Sequence, residues 1–199
     1  MTSAEEFFDA IAPRYDRVFA RSRDELRAHV RRALEWIGEA PRDVLDLGVG
    51  TGAELPHLLD AGHRVTGVDV SAEMLALCNQ RSRKITVFRA DFWESLPVAP
   101  RTFDAVIALF GSLAHAPSDD AYARLAREVA RALRPRGAFY AEVPTESWAR
   151  AHASFEDDAT GARVAIRAPS EAAWREAFRA FDVTTRVDGD ELTIAARLR

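Results

Sequence analysis

The stretch Val44-Leu45-Asp46-Leu47-Gly48-Val49-Gly50-Thr51-Gly52 decides how the rest of the chain is read. Val44–Leu47 is short and mostly apolar, as expected of a strand buried on both faces. Glycines at 48, 50 and 52 then allow a tight turn and close backbone approach to a ligand. Outward from this point, strands and helices alternate. A helix is expected over Thr51–Ala61, a strand over Arg64–Val68 and a helix over Ser71–Gln80. Strands follow at Ile85–Phe88 and Phe103–Leu109. Ser118–Leu133 reads as a long helix stopped by Pro135 and Gly137, and Ala138–Val143 as a fifth strand. This rhythm predicts an α/β fold with a doubly wound parallel sheet and helices on both faces.

The two ends of the chain depart from the rhythm. Ser3–Ile11 reads as a helix capped by Ser3 with Glu6 three residues on, and Asp24–Ile37 as a second helix. After a helix at Glu171–Ala180, the strands Phe181–Val187 and Glu191–Ala196 are separated only by Asp188-Gly189-Asp190. A link this short joins antiparallel strands, so the last strand must run against the others. Pro144–Pro169 fits none of these elements, apart from a small hairpin expected around Asp158–Gly161. Long connections at the C-terminal edge of a parallel sheet usually carry function.

Composition narrows the possibilities. The chain has 199 residues, 48% hydrophobic and 29% charged, which suits one globular core. A single domain over 1–199 is expected, with 1–40 as an N-terminal helical lid and 144–169 as a substrate-side insertion. The net charge of −4, from 27 basic against 31 acidic residues, argues against a nucleic-acid partner. Arginines do cluster near the start, but acids are interleaved with them, as on a solvated helix surface. No apolar run reaches membrane-spanning length, no secretory signal is seen, and a cytoplasmic location is expected. The single Cys78 rules out an internal disulfide and a cysteine-based zinc site, and no metal is expected.

The glycine loop alone fits the loose G-x-G-x-x-G/A pattern of a dinucleotide site, with Asp69 at a suitable distance for its ribose. Asp46 separates the alternatives. Beside a pyrophosphate a buried carboxylate is repulsive, whereas beside the ammonium of S-adenosylmethionine it is favourable. A plainer role, capping the helix after Thr51, is compatible with either. Asp69 ends the second strand, where its two oxygens suit two ribose hydroxyls, and Ser71 can cap the next helix in its place. Asp91 follows the third strand and can accept from an adenine amine while Phe92 or Met74 packs on the ring.

These residues resemble the class I S-adenosylmethionine-dependent methyltransferases of small-molecule type, from about Ser3 to the C-terminus. The resemblance rests on Leu45–Gly52, Val68-Asp69-Val70-Ser71-Ala72-Glu73-Met74, Ala90-Asp91, Phe103–Phe110 and Leu133-Arg134-Pro135-Arg136-Gly137. It implies a Rossmann-like sheet of order 3-2-1-4-5-7-6 with strand 7 antiparallel. It also implies that Asp46, Gly48, Gly50 and Gly52 hold the methionine end, Asp69 the ribose, and Asp91 with Phe92 the adenine. Val70 and Met74 would border the cofactor, and Leu109 would approach it through its backbone. Ala12-Pro13-Arg14-Tyr15-Asp16 is similar to the opening segment of many members, which suggests that Tyr15 closes over the cofactor. Arg136 departs from the family, which usually has a second glycine there.

The implied reaction uses S-adenosylmethionine, leaves S-adenosylhomocysteine, and methylates an oxygen, nitrogen or sulfur of a small molecule by direct displacement. Positioning then carries most of the catalysis. If the acceptor arrives protonated, His115 is the leading base, by virtue of its ordinary pKa. A purely packing role for this histidine remains open. His152, Tyr140 and Glu142 are further candidates, and Trp148 and Phe155 would line the acceptor side. Two alternatives stand: an NAD-dependent oxidoreductase, and a non-catalytic S-adenosylmethionine-binding protein on the same fold.

Overall fold

The computed structural model describes residues 2–199. Seven strands form one sheet: β1 (Asp43–Leu47), β2 (Arg64–Asp69), β3 (Thr86–Arg89), β4 (Phe103–Ala108), β5 (Leu133–Pro144), β8 (Phe181–Asp188) and β9 (Glu191–Leu198). Their order is β3-β2-β1-β4-β5-β9-β8, and β9 pairs antiparallel with both β5 and β8. Counted along the sheet alone, this is the expected 3-2-1-4-5-7-6. Two short strands, β6 (Ser154–Glu156) and β7 (Arg163–Ala165), make a separate antiparallel hairpin.

Helices cover both faces. On one face α3 (Arg23–Ile37), α4 (Leu55–Asp60) and α5 (Ala72–Arg81) press Val30, Ile37, Leu58 and Cys78 against Val44, Val65 and Ile107. On the other, α6 (Ala121–Ala132) and α8 (Glu171–Ala177) set Leu125, Val129 and Trp174 against Leu45, Val106 and Phe139. No helix joins β3 to β4; Phe92, Trp93 and Leu96 of that connection fill the space instead. A third cluster lies at the C-terminal edge of the sheet. There α1 (Ala4–Ile11) packs Phe7 and Ile11 on Met74 and Val164, next to a short turn of helix, α2 (Tyr15–Val18). The expected lid region 1–40 thus divides: α1 and α2 lie over this edge, while α3 belongs to the sheet's cover. Among the described residues no helix is long and apolar enough to cross a membrane.

Three of the departures from the sequence reading have a clear local reason. The helix after the glycine loop begins at Leu55 rather than Thr51, because Gly50 and Gly52 hold φ of +52° and +70°. Pro144–Pro169 contains a helix, α7 (Glu146–Ala151), capped by Thr145, whose hydroxyl accepts from the Trp148 amide. Six residues are too few to show a helical period. The fifth strand starts at Leu133, earlier than Ala138, and absorbs Pro135 and Gly137. Arg136 there takes a left-handed φ of +62°, the conformation a glycine adopts without cost.

Candidate active site

The turn after β1 is built by two close approaches. Gly48 has φ +76°, and a Cβ there would meet the Ser112 side chain at 2.6 Å. Its amide and that of Val49 both donate to the Val68 carbonyl, tying the turn to the end of β2. Gly50 is open, and its amide donates to Asp69 Oδ2 at 2.8 Å. Gly52 serves packing: a Cβ there would meet Leu55 Cδ1 at 2.5 Å.

Two adjoining cavities flank this turn. One, of about 520 Å³, is bordered by Gly48, Gly50, Asp69, Val70, Met74, Asp91 and Phe92. The other, of about 620 Å³, takes in Tyr15, Gly48, Gly50, Glu54 and Leu109. Asp46 and Gly52 border neither cavity. The remaining residues that the sequence singled out for the cofactor therefore converge on one cleft.

Electrostatics single out two acids at the glycine turn, Glu54 on the wall of the second cavity and Asp46 buried behind it. Asp46 is 2% exposed and Glu54 is 5% exposed, and the two interact. Among the described residues Asp46 Oδ2 and Glu54 Oε1 have no hydrogen-bond partner. Burial first, and the charge of Glu54 second, push the Asp46 carboxyl well above its usual range. Burial likewise raises Glu54 to about 7. Two neighbouring buried carboxyls are costly unless they share a proton or accept a cation. An ammonium group fits this donor-poor, acid-rich spot; a pyrophosphate does not.

The other two acids are partly committed to backbone. Asp69, 7% exposed, accepts from Gly50 N–H and, through Oδ1 at 2.9 Å, from Ser71 N–H. Ser71 does cap α5, through the Met74 amide, yet Asp69 is not left free of backbone bonds as expected. Each of its oxygens still has a lone pair for a hydroxyl. Asp91 is exposed, accepts from the Trp93 amide through Oδ1 at 2.8 Å, and keeps Oδ2 open.

The covering segments are fastened at several points. Asp16 accepts from the Thr51 hydroxyl at 2.6 Å and pairs with Arg81, which pins α2 to the glycine turn. Tyr15 sits next to it, packed on Phe19, and burial raises its hydroxyl pKa. His115 lies in a 3-10 turn after β4, with Phe8 edge-on to its ring. Its Nδ1 is 2.9 Å from the Ala165 carbonyl, so Nδ1 carries the hydrogen and Nε2 is the basic nitrogen. Burial lowers its pKa and keeps it neutral near pH 7.

A further cavity of about 480 Å³ adjoins the cleft; His115, Phe8, Phe19 and Phe110 border both. Trp148 and Phe155 both line this outer space. His152 does not; it stacks on Trp148 and bonds back to that residue's carbonyl. Tyr140 and Glu142 are tied to each other in a buried network with Arg32 and His29.

Sequence reasoning missed Glu54, Arg21 and Ser112. Glu54 looks like an ordinary acid at a helix start. Arg21, which lies 4.3 Å over the Phe110 ring, was one of many arginines interleaved with acids. Ser112 is noticed only once the contact with Gly48 is seen.

Comparison with known proteins agrees with this geometry. A family model described as a methyltransferase domain matches residues 44–137. The ubiquinone/menaquinone biosynthesis C-methyltransferase UbiE of Rubrivivax gelatinosus is 33% identical over 147 residues, 71% of this chain and 56% of that protein. The demethylmenaquinone methyltransferase of Chlorobaculum parvum is 31% identical over 163 residues, 72% of this chain and 60% of that protein. The chain spans about half the length of the curated relatives it matches. A solved DhpI–SAH complex is 26% identical, covers 97% of this chain and 94% of its own, and superposes with a TM-score of 0.77. Residues 44–137 thus carry a methyltransferase domain, and the sheet order and acid-bearing glycine turn are those expected of a class I S-adenosylmethionine-dependent methyltransferase.

Proposed function

We propose that this chain transfers the methyl group of S-adenosylmethionine to an oxygen, nitrogen or sulfur atom of a small molecule. The observation that carries the reading is the buried Asp46–Glu54 pair with its unpartnered oxygens, set at the glycine turn. In this reading the pair takes the methionine ammonium, Asp69 the ribose hydroxyls, and Asp91 with Phe92 and Met74 the adenine. When bound, the cofactor supplies an already activated methyl group on a sulfonium.

The chain's own residues then have three tasks. Tyr15, Phe8 and Phe19 exclude water above the cleft, and the region 1–40 acts as a lid through its first two helices. Residues 144–169 wall the acceptor cavity with Trp148 and Phe155. His115 Nε2 takes the proton that an O–H, N–H or S–H acceptor sheds, and the Ala165 carbonyl steadies the resulting imidazolium through Nδ1–H. The relatives named for quinone methyl transfer support a small-molecule acceptor. One of them is named a C-methyltransferase, so a carbon acceptor is the second reading.

Calorimetry tests the cofactor reading: S-adenosylmethionine and S-adenosylhomocysteine should bind, and NAD and NADH should not. Tight NAD binding without response to the sulfonium compound overturns it. A labelled methyl donor offered with a metabolite panel then identifies the acceptor atom. Cofactor binding with no transfer to any acceptor would favour a non-catalytic binding protein.

A further inference from the structure

The outer cavity has two unlike ends. At the inner end His115 borders both it and the cofactor cleft. At the outer end, beyond Phe110, stand His29, Glu142 and Glu191, with Asp188 and Asp190 on the β8–β9 turn; none of these borders the cleft. Aromatic side chains, among them Phe8, Phe19, Phe110, Phe155 and Trp148, line the space between.

The outer end offers hydrogen-bond acceptors. Glu142 is fully buried and accepts from Tyr140 Oη at 3.0 Å, Arg32 Nη2 at 2.8 Å and His29 Nδ1 at 2.7 Å. Arg32 Nη2 has two hydrogens, and Glu142 Oε1 and Glu191 Oε1 (3.1 Å) take both. His29 Nδ1, although only 2.6 Å from Nη2, must therefore carry its own hydrogen toward Glu142 Oε2. His29 Nε2 has no partner among the described residues, and the ring borders the cavity.

Charge points the same way. Four carboxylates, Glu142, Asp188, Asp190 and Glu191, face three guanidiniums, Arg21 on the wall, Arg32 behind it and Arg186 beside Asp188, which leaves a formal −1 before the histidines are counted. Burial and the charge of Glu142 raise the Glu191 carboxyl even with His29 and Arg32 beside it. The aromatic walls suit an apolar body and attract a cation through their ring faces.

From this juxtaposition we infer that the acceptor is an aromatic or similarly apolar molecule bearing a protonated amine, anchored by Glu191 and His29 at the end remote from the methylated atom. The inference rests on the methyl-transfer reading of the cleft. His29, Glu142 and Glu191 also come within 4.8 Å of one another, close enough for a metal ion. The Arg32 guanidinium, however, already lies between the two carboxylates, and a metal would have to displace it.

Three probes share a phenol ring and differ only at the far end: tyramine (ammonium), tyrosol (alcohol) and 4-hydroxyphenylacetate (carboxylate). Their binding to the intact chain, saturated with S-adenosylhomocysteine, is measured by calorimetry. Tyramine should bind tighter than tyrosol by about tenfold or more, the scale of a charge-assisted hydrogen bond, and the carboxylate should bind weakest. Glu191→Gln and His29→Asn should each reduce the tyramine preference while leaving S-adenosylhomocysteine affinity unchanged. Equal affinities, a reversed order or no tyramine binding overturns the inference. So does stoichiometric Zn²⁺ binding that competes with tyramine and is lost in His29→Asn. Absence of S-adenosylhomocysteine binding would instead count against the methyl-transfer reading, and the three probes are then compared on the free protein.

Discussion

On either side of β4 the sheet buries carboxyl groups, and it treats them in opposite ways. Glu142 on β5 accepts from three side chains on two elements, α3 and β5 itself. Burial alone would raise its pKa, but His29 and Arg32 outweigh that and hold it below the usual value. Asp46 and Glu54, on β1 and at the start of α4, have no cation in contact among the described residues and keep unpartnered oxygens, and both carboxyls are raised. The fold has completed the first environment and left the second short of one positive group. Buried polar groups are ordinarily satisfied, so a local deficit beside an open cleft marks where a ligand completes the structure.

The contrast breaks if removal of Glu142 leaves the protein unaffected. Glu142→Ala takes away the acceptor of a buried network and should cost about 3 kcal/mol of stability, read from denaturant unfolding. Cofactor affinity should be nearly unchanged. An equal loss of both would mean that the two environments are one.

Asp69→Ala tests the cofactor side. It should weaken S-adenosylmethionine binding by about 1.5–3 kcal/mol in calorimetry. Since Asp69 also holds the Gly50 and Ser71 amides, the melting temperature should fall modestly too. Normal cofactor affinity in a folded variant would misplace the ribose.

The pH dependence sharpens the comparison because the two environments have opposite signs. Glu54 has a folded pKa of about 7, above its usual 4.5. Its stabilising effect is full below about pH 4.5 and is lost as pH rises through about 7. Glu142 has a lowered folded pKa, so its contribution is present above 4.5 and lost as pH falls through that lowered value. The ligand-free protein should therefore melt a few degrees lower at about pH 7.5 than at about pH 5.5. Glu54→Gln should flatten that slope. Cofactor affinity should rise over the same window, because the ammonium favours the ionised pair. A wild-type slope that persists in Glu54→Gln assigns the titration elsewhere.

The smallest effect is expected farthest from both acids. Trp148→Ala should slow acceptor turnover several-fold, about 1 kcal/mol, and leave cofactor affinity unchanged in calorimetry. Loss of cofactor binding in this variant would join the outer cavity to the cleft energetically.

Much of this arrangement was legible from the sequence because it is local. The glycine turn, the acids at successive strand ends and the Asp188-Gly189-Asp190 hairpin each lie within a few residues; the hairpin makes the last strand antiparallel, and the sheet order came with the resemblance that the other motifs carry. The start of α4 was misread because Gly50 and Gly52 have left-handed backbone that composition alone does not reveal. Asp69 seemed free because its bond to the Gly50 amide spans 19 residues. The His29–Glu142 contact joins residues 113 positions apart, and no short-range pattern announces it. Glu142 could be noticed as an acid on a buried strand, but its partners could not.

The opening residues and the β6–β7 hairpin are stitched to each other as well as to the body. Thr2 bonds twice to the Arg163 carbonyl, Arg14 pairs with Asp157, and Phe7 and Phe19 both contact Phe155. Segments more than a hundred residues apart therefore form the two leaves of one door. In the proposed reading cofactor and acceptor share a threshold, and release of the spent cofactor would need both leaves to swing together, at a rate set by how often these few ties release at once.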